Sequence, residues 1–358
     1  MNTPLSDELL AAGGRLADPA AAGPGDFGNP RDEYAAARSA AALIDRSPLT
    51  KIELRGRDRT NFLHNLCTND IKALAAGRGC EAFFTNAQGK VLAFVRVFAG
   101  TDSIWLDTVP GAADHLMKHL DRYLIMEKVE LADRSADWAQ LLVVGPRSSE
   151  VVAAIGLAAP SVTHEYQFIE ATLAGGPCHI IAGGTLGLPS HELRVPADRA
   201  VTVWRQLRAA GEPAGLRLIG ERAFDILRIE AGLPIYGIDM DESNLPQEIG
   251  RDRLAISFTK GCYIGQETIA RIDAMGHVNR HLVGLKIAAS EPPPRGSSIS
   301  AAGKSIGQLT SSALSPTLNS VVALGYVRRG HERPGTELVI DAPGTQLPAV
   351  VHALPFHQ

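Results

Sequence analysis

The hydrophobic positions along this chain change period several times, and those changes predict its elements. In "RDEYAAARSAAALID" Tyr34, Ala37, Ala41 and Leu43 share one face at helical spacing, which predicts a helix. "TKIELRG" alternates instead, with Ile52 and Leu54 on one side and charges on the other, as a half-buried strand does. Phe62, Leu63, Leu66 and Cys67 return to the helical period. "EAFFTNAQGKVLAFVRVFAG" then reads as a hairpin around "NAQGK", "DSIWLDTV" as a strand, and "GAADHLMKHLDRYLIM" as an amphipathic helix. A second pass of the same grammar follows. "AQLLVVGPRS", "CHIIAGG" and "HELRVPA" are strands, whereas "ADRAVTVWRQLRAAG" and "ERAFDILRIEAG" are helices. Strands with interposed helices, twice over, predict an α+β assembly with more than one sheet.

The two ends differ from this middle. Residues 11–30 are rich in Ala, Gly and Pro and hold almost no large apolar groups, so residues 1–30 are expected to form an irregular lead-in. Beyond "GHVNRHLVGLKIAAS" comes the turn cluster "EPPPRGSS", then short strands with no helical stretch between them. That pattern predicts a small C-terminal β-barrel over 281–358. With 358 residues to divide, the expected parts are the lead-in, a first α+β part at 31–135, a second at 136–280, and the barrel.

Composition narrows the function classes. The net charge is -4, from 35 basic and 39 acidic side chains, and aromatics make up 5%. Neither the basic footprint nor the stacking surface of a nucleic-acid binder is present. The longest apolar runs are strand-sized, which predicts no membrane span, and "MNTPLSDELL" lacks a basic leader. Cys67, Cys80, Cys178 and Cys262 form no close pair. Their spacing suggests no disulfide framework and no metal site, and it fits a reducing, cytoplasmic setting.

Cys262 has a context of its own, "KGCYIGQE". The run "GQETIARIDAM" predicts a helix starting at Gly265 or Gln266, with Cys262 in the glycine-flanked turn before it. Unpaired N–H groups at such an end, together with Lys260, favour a thiolate. The alternative is a buried cysteine acting as a small hydrophobe.

Two segments carry a family likeness. "LRIEAGLPIYGIDMDESNLPQE" and the following "FTKGCYIGQETIAR" resemble the YgfZ family, folate-binding relatives of the glycine-cleavage T-protein, and the likeness runs from about Tyr34 to Phe356. The resemblance implies a T-protein-like three-domain cloverleaf around a central channel that accepts tetrahydrofolate. It also implies an accessory factor for assembly or repair of iron–sulfur clusters in client enzymes, a tRNA-modifying one among them, acting through Cys262 with Lys260. Glu192 would accept the two donors of the pterin's amidine-like edge. Arg228 and Tyr236 would line the folate channel, against the alternatives of an internal ion pair to Asp225 or Glu230 and of core packing.

One departure bears on chemistry. T-proteins carry an aspartate in a segment shaped like "QGGILDD", and this chain has "AQGKVLAF" there, with Ala93 and Phe94 at the carboxylate positions. Neither can hold a proton. That replacement argues against aminomethyl transfer and leaves a folate-dependent one-carbon transferase as the alternative reading.

Overall fold

The computed structural model describes residues 3–16, 23–161, 166–184 and 186–357. Residues 1–2 and 17–22 of the expected lead-in lie outside them. The chain divides into two compact units. The first comprises Met1–Ala82 and Val95–Phe224, and the second Phe83–Phe94 and Asp225–Gln358.

The strands of the main sheet are β1 Ala42–Asp45, β2 Thr50–Arg55, β3 Arg78–Thr85, β4 Val91–Ala99, β5 Ser103–Thr108 and β6 Glu130–Asp133. They continue with β7 Trp138–Val144, β8 Tyr166–Leu173, β9 Gly176–Gly183, β10 Ser190–Pro196 and β11 Arg217–Leu218. The helices are α1 Ser6–Ala11, α2 Pro30–Ser39, α3 Arg59–Leu66, α4 Ala113–Asp121, α5 Ser148–Ala154, α6 Ala200–Gly211, α7 Glu221–Glu230, α8 Asp252–Ala255 and α9 Gln266–Met275. Strand order in the sheet is β11-β1-β7-β10-β9-β8-β3-β4-β5-β2-β6.

Within the first unit, period-two alternation splits this sheet into two chemistries. Ala139, Leu141 and Val143 of β7, with Leu193 and Val195 of β10, join Val151 and Val152 of α5 and Val203, Trp204 and Leu207 of α6 in one apolar core. Their sequence neighbours Trp138, Gln140, Glu192 and Arg194 face the other way and are polar or aromatic. Arg194 of β10 nonetheless bonds Asp107 of β5, and Trp105 of β5 meets Trp138 of β7 at a 5.6 Å ring separation. These strands stand several places apart in the sheet, so the sheet folds over and its polar-aromatic faces meet inside the unit.

Two sequence expectations change here. The composition of residues 1–30 predicts an irregular lead-in, yet Ser6–Ala11 is helical, and Leu5 and Leu9 are buried in the α5–α6 core. Two leucines suffice to anchor a single turn and a half when a cleft for them already exists. The periodicity of "RDEYAAARSAAALID" predicts one helix, whereas α2 ends at Ser39 and Ala42–Asp45 is a strand paired with β7 and β11. Sheet pairing overrides the good helix propensity of the alanines.

In the second unit, β12 Arg280–Ile287, β13 Ser298–Ala301, β14 Lys304–Ser315, β15 Ser320–Arg328, β16 Glu337–Ala342 and β17 Thr345–His352 close into a barrel in the order β12-β15-β14-β13-β16-β17. Leu285, Ile299, Ile340 and Val351 fill its interior. Closure pairs every edge. The barrel expected from the short-strand pattern is present, with β12 as its first strand.

Candidate functional site

In the first unit, the meeting faces of the folded sheet build a buried network of charges. Glu192 is 2% exposed. Its carboxylate accepts from both terminal nitrogens of Arg96, one of them at 2.9 Å, and from the Gln140 amide. Asp107 accepts from Arg96 at 3.1 Å, from Gln140 at 3.2 Å, and from Arg194 on its other oxygen. Burial by itself would raise the Glu192 carboxyl, but Arg96 and Gln140 more than offset that and hold it below its usual value. Burial likewise opposes the charge on Arg96, and Glu192 and Asp107 overcome it, so the Arg96 pKa is raised.

Around these charges stand aromatic rings. The Arg194 guanidinium lies 4.8 Å from the Trp105 ring centroid, and His179 stacks on Trp138 at 4.7 Å. Burial first, then Arg194 and Arg55, push the His179 imidazole down to about 3. Lys51 is fully buried, donates to the Ser47 and Leu49 carbonyls at 2.9 Å, and is lowered by burial to about 8.

Glu192 is therefore neither a solvated strand residue nor a free acceptor. Both of its oxygens are engaged, and a pterin edge would have to replace Arg96 to reach them. Arg96 and Gln140 escape sequence reasoning because each looks like a lone polar residue in a strand. The one available signal is a charged or aromatic residue at every second place in "VRVF", "WLDT" and "HELRV", on the side opposite to the aliphatic residues.

In the second unit, Arg228 takes the alternative role. Its Nε donates to Asp225 at 2.6 Å, Nη1 to Asp239 at 2.9 Å and to the Leu233 carbonyl at 3.4 Å, and Nη2 to Ser311 at 2.9 Å. Four of its five N–H groups are spent within the unit, and it is 2% exposed. Its fork ties α7 to the Asp239 turn and to β14. Tyr236 is half-buried against the unit's apolar core. Burial, then Glu242 and Asp241, raise its phenol to about 12, so it stays protonated as a hydrogen-bond donor.

The "KGCYIGQE" segment sits in this unit too, between α8 and α9, and its residues separate by side. Tyr263 and Ile269 are buried in the core, and the Lys260 ammonium stands 4.9 Å from the Tyr263 ring centroid. Cys262 is exposed, while Cys67 and Cys178 are buried. The bland reading of Cys262 as a core hydrophobe does not hold. Gly265 caps α9 with φ +82°, and a Cβ there would come within 2.6 Å of the Asn86 carbonyl. Both the left-handed backbone and the close approach require glycine.

The neighbour so approached is the β3–β4 turn, "NAQGK". Thr85 donates to the Ile264 carbonyl at 2.6 Å, and a Cβ on Gly89 would meet Thr268 at 3.0 Å. The "KGCYIGQE" and "NAQGK" segments thus lie against each other. Ala93 is 3% exposed, and Phe94 packs on Phe83 with ring centroids 4.9 Å apart. The place of the absent carboxylate is filled by apolar packing.

Comparison with known proteins extends over the whole chain. The family described as "GCVT N-terminal domain" matches residues 24–260, and "Glycine cleavage T-protein C-terminal barrel domain" matches 280–358. An aminomethyltransferase of Streptomyces avermitilis is 32% identical over 339 residues, spanning 93% of this chain and 90% of that one. One from Moorella thermoacetica is 31% identical over 358 residues, spanning 99% and 97%. The crystal structure of glycine cleavage system aminomethyltransferase T from Bartonella henselae superposes with a TM-score of 0.90 at 24% identity, covering 99% and 97%, and shows the shared fold.

These findings overturn the expectation of an accessory factor for iron–sulfur clusters acting through Cys262. Relatives aligned over nearly the full length are named aminomethyltransferases, so the one-carbon alternative fits better. Tetrahydrofolate, expected from the resemblance, accords with that family. No helix among the described residues is long and apolar enough to cross a membrane, and among them no cluster of potential metal ligands occurs. With both family models matched in order along it, the chain belongs to the glycine cleavage T-protein family.

Proposed function

We propose that this protein is a tetrahydrofolate-dependent one-carbon transferase of the aminomethyl type. The observation that carries the reading is the near full-length identity of about 30% to proteins named aminomethyltransferase. Glu192 supports it from the chain's own chemistry, because a buried carboxylate can take a planar pair of donors on one ligand edge. In such a transfer the folate N5 lone pair bonds to the aminomethyl carbon as the bond from that carbon to its carrier sulfur breaks, the thiolate taking up the N5 proton. N10 then bonds to the same carbon as the amine leaves as ammonia with the N10 proton. What the chain supplies is orientation and exclusion of water. Ala93 and Phe94 carry no proton, so the proton is handled elsewhere than at that turn.

The test supplies purified protein with tetrahydrofolate and an aminomethylated carrier, and follows methylene-tetrahydrofolate and ammonia. Turnover is expected, and Glu192→Gln should weaken folate binding by roughly tenfold or more, the worth of a charge-assisted pair. Absence of turnover would refute the reading.

A second reading has its own observation. The apolar packing of Ala93 and Phe94, together with "KGCYIGQE" and its exposed Cys262, favours a YgfZ-like branch that binds folate without transferring the aminomethyl group. Folate binding with no turnover in the same assay would select it.

A further inference from the structure

Arg96 occupies the very acceptor that the folate reading assigns to the ligand. Its two terminal nitrogens form a planar fork on the Glu192 carboxylate. The 2-amino-4-oxo edge of a pterin offers the same thing, two coplanar N–H donors at similar spacing. We propose that Arg96 is an intramolecular stand-in for that edge, and that its displacement sets both the affinity and the selectivity of the site. The inference rests on the proposed folate reading of Glu192.

Three features of the first unit support it. Arg96 stands on the solvent side of the network: its side chain is 14% exposed, against 3% for Glu192, 1% for Asp107 and 0% for Arg194. A ligand coming from solvent meets Arg96 before it meets Glu192. The guanidinium also has somewhere to go. Asp107 already accepts from its Nη2 at 3.1 Å, and the Phe98 and Tyr166 rings lie 5.5 and 5.9 Å from its central carbon. Released from Glu192, it keeps one carboxylate and two ring faces. Finally, Gln140 donates to the Glu192 oxygen that also takes Arg96 Nη2, so the carboxylate keeps one hydrogen bond when the fork leaves.

The consequence is a toll on binding. If the open arrangement is populated about a tenth of the time, the apparent affinity drops about tenfold relative to an open site. Selectivity follows from the same exchange. A heterocycle with both donors replaces the fork bond for bond, whereas one lacking the 2-amino group returns one hydrogen bond for the two it displaces and is rejected.

The experiment titrates tetrahydrofolate, and a 2-desamino-2-methyl folate analogue, into the full-length protein and its variants by calorimetry. Arg96→Met should bind tetrahydrofolate about tenfold more tightly than wild type. Arg96→Lys keeps the charge but loses the planar fork, so it should also bind more tightly, and it serves where the methionine variant folds poorly. Adding Glu192→Gln to Arg96→Met should abolish the gain, and the analogue should bind weakly throughout. Equal or weaker binding by both Arg96 variants, with wild type still binding, would overturn the stand-in role and leave the folate reading intact. No binding by wild type or by any variant would overturn both.

Discussion

Removing the Asp107 carboxylate should destabilise the first unit more than any surface change of equal size. Asp107 is 2% exposed and is the recorded ion-pair partner of Arg194, which is fully buried. The Nε and Nη1 atoms of Arg194 have no hydrogen-bond partner among the described residues, so its charge depends on Asp107. Asp107→Ala removes its hydrogen-bonded counter-charge and leaves the guanidinium buried, with only the more distant Glu192 and the Trp105 ring to support it, which costs about 3–5 kcal/mol. A unit of roughly 200 residues loses about 2–4 °C per kcal/mol, so its melting transition should fall by about 6–20 °C. The assay is differential scanning calorimetry at neutral pH, with hydrogen exchange of β7 and β10 to assign the transition to this unit. A cycle with Arg194→Met makes the reasoning specific. Because Asp107→Ala takes the hydrogen-bonded counter-charge from Arg194 while the double variant leaves no Arg194 charge to pair, the double should be less destabilised than the sum. A melting point within 2 °C of wild type for Asp107→Ala, or additive losses in the cycle, would refute the account.

Three further outcomes follow from particular residues. His179 is held neutral down to about 3 by burial, while the unfolded chain takes its proton near 6.5. Stability from this group is therefore full above pH 6.5 and declines as pH falls towards 3, by at most about 1.4 kcal/mol per pH unit. His179→Phe keeps a ring on Trp138 and should flatten that slope in denaturant titrations at pH 7 and pH 5; an unchanged slope would count against it. With a disulfide-exchange reagent on the folded protein, Cys262 should react rapidly and Cys67 and Cys178 only after denaturation, and Cys262→Ser should remove the fast phase. Gly265→Ala should lower the stability of the second unit by about 1–3 kcal/mol for the left-handed backbone, with a further loss from the Asn86 contact; a neutral effect in chemical unfolding would show that the α9 entrance can relax.

How much of this was legible beforehand depends on the distance over which each feature is decided. Period alone located the β3–β4 hairpin, α6, α7 and α9, because helical and strand faces repeat within a few residues. Short strands between turn clusters announced the barrel. "KGCYIGQE" stood out as a chemical context, and its α9 entrance lies where the glycines put it. Local pattern failed where burial came from elsewhere. Leu5 and Leu9 look too few to order a segment until α6 offers them a cleft, and the alanines before Asp45 look helical until β7 pairs with them.

The site shows the same division more sharply. The sequence determined which residue types were available: a glutamate in "HELRV", an arginine in "LRIEAG", a cysteine between glycines, and no carboxylate at positions 93 and 94. Tertiary structure alone decided their partners. Folding the sheet over itself set Arg96 against Glu192, 96 positions apart in the chain, and Arg194 against Asp107, 87 positions apart. Arg228, free to take a ligand as far as its own helix dictates, was claimed by Asp239 and Ser311 of the same unit. A buried charge must be paired wherever the fold puts a counter-charge, and sequence distance carries no information about where that will be.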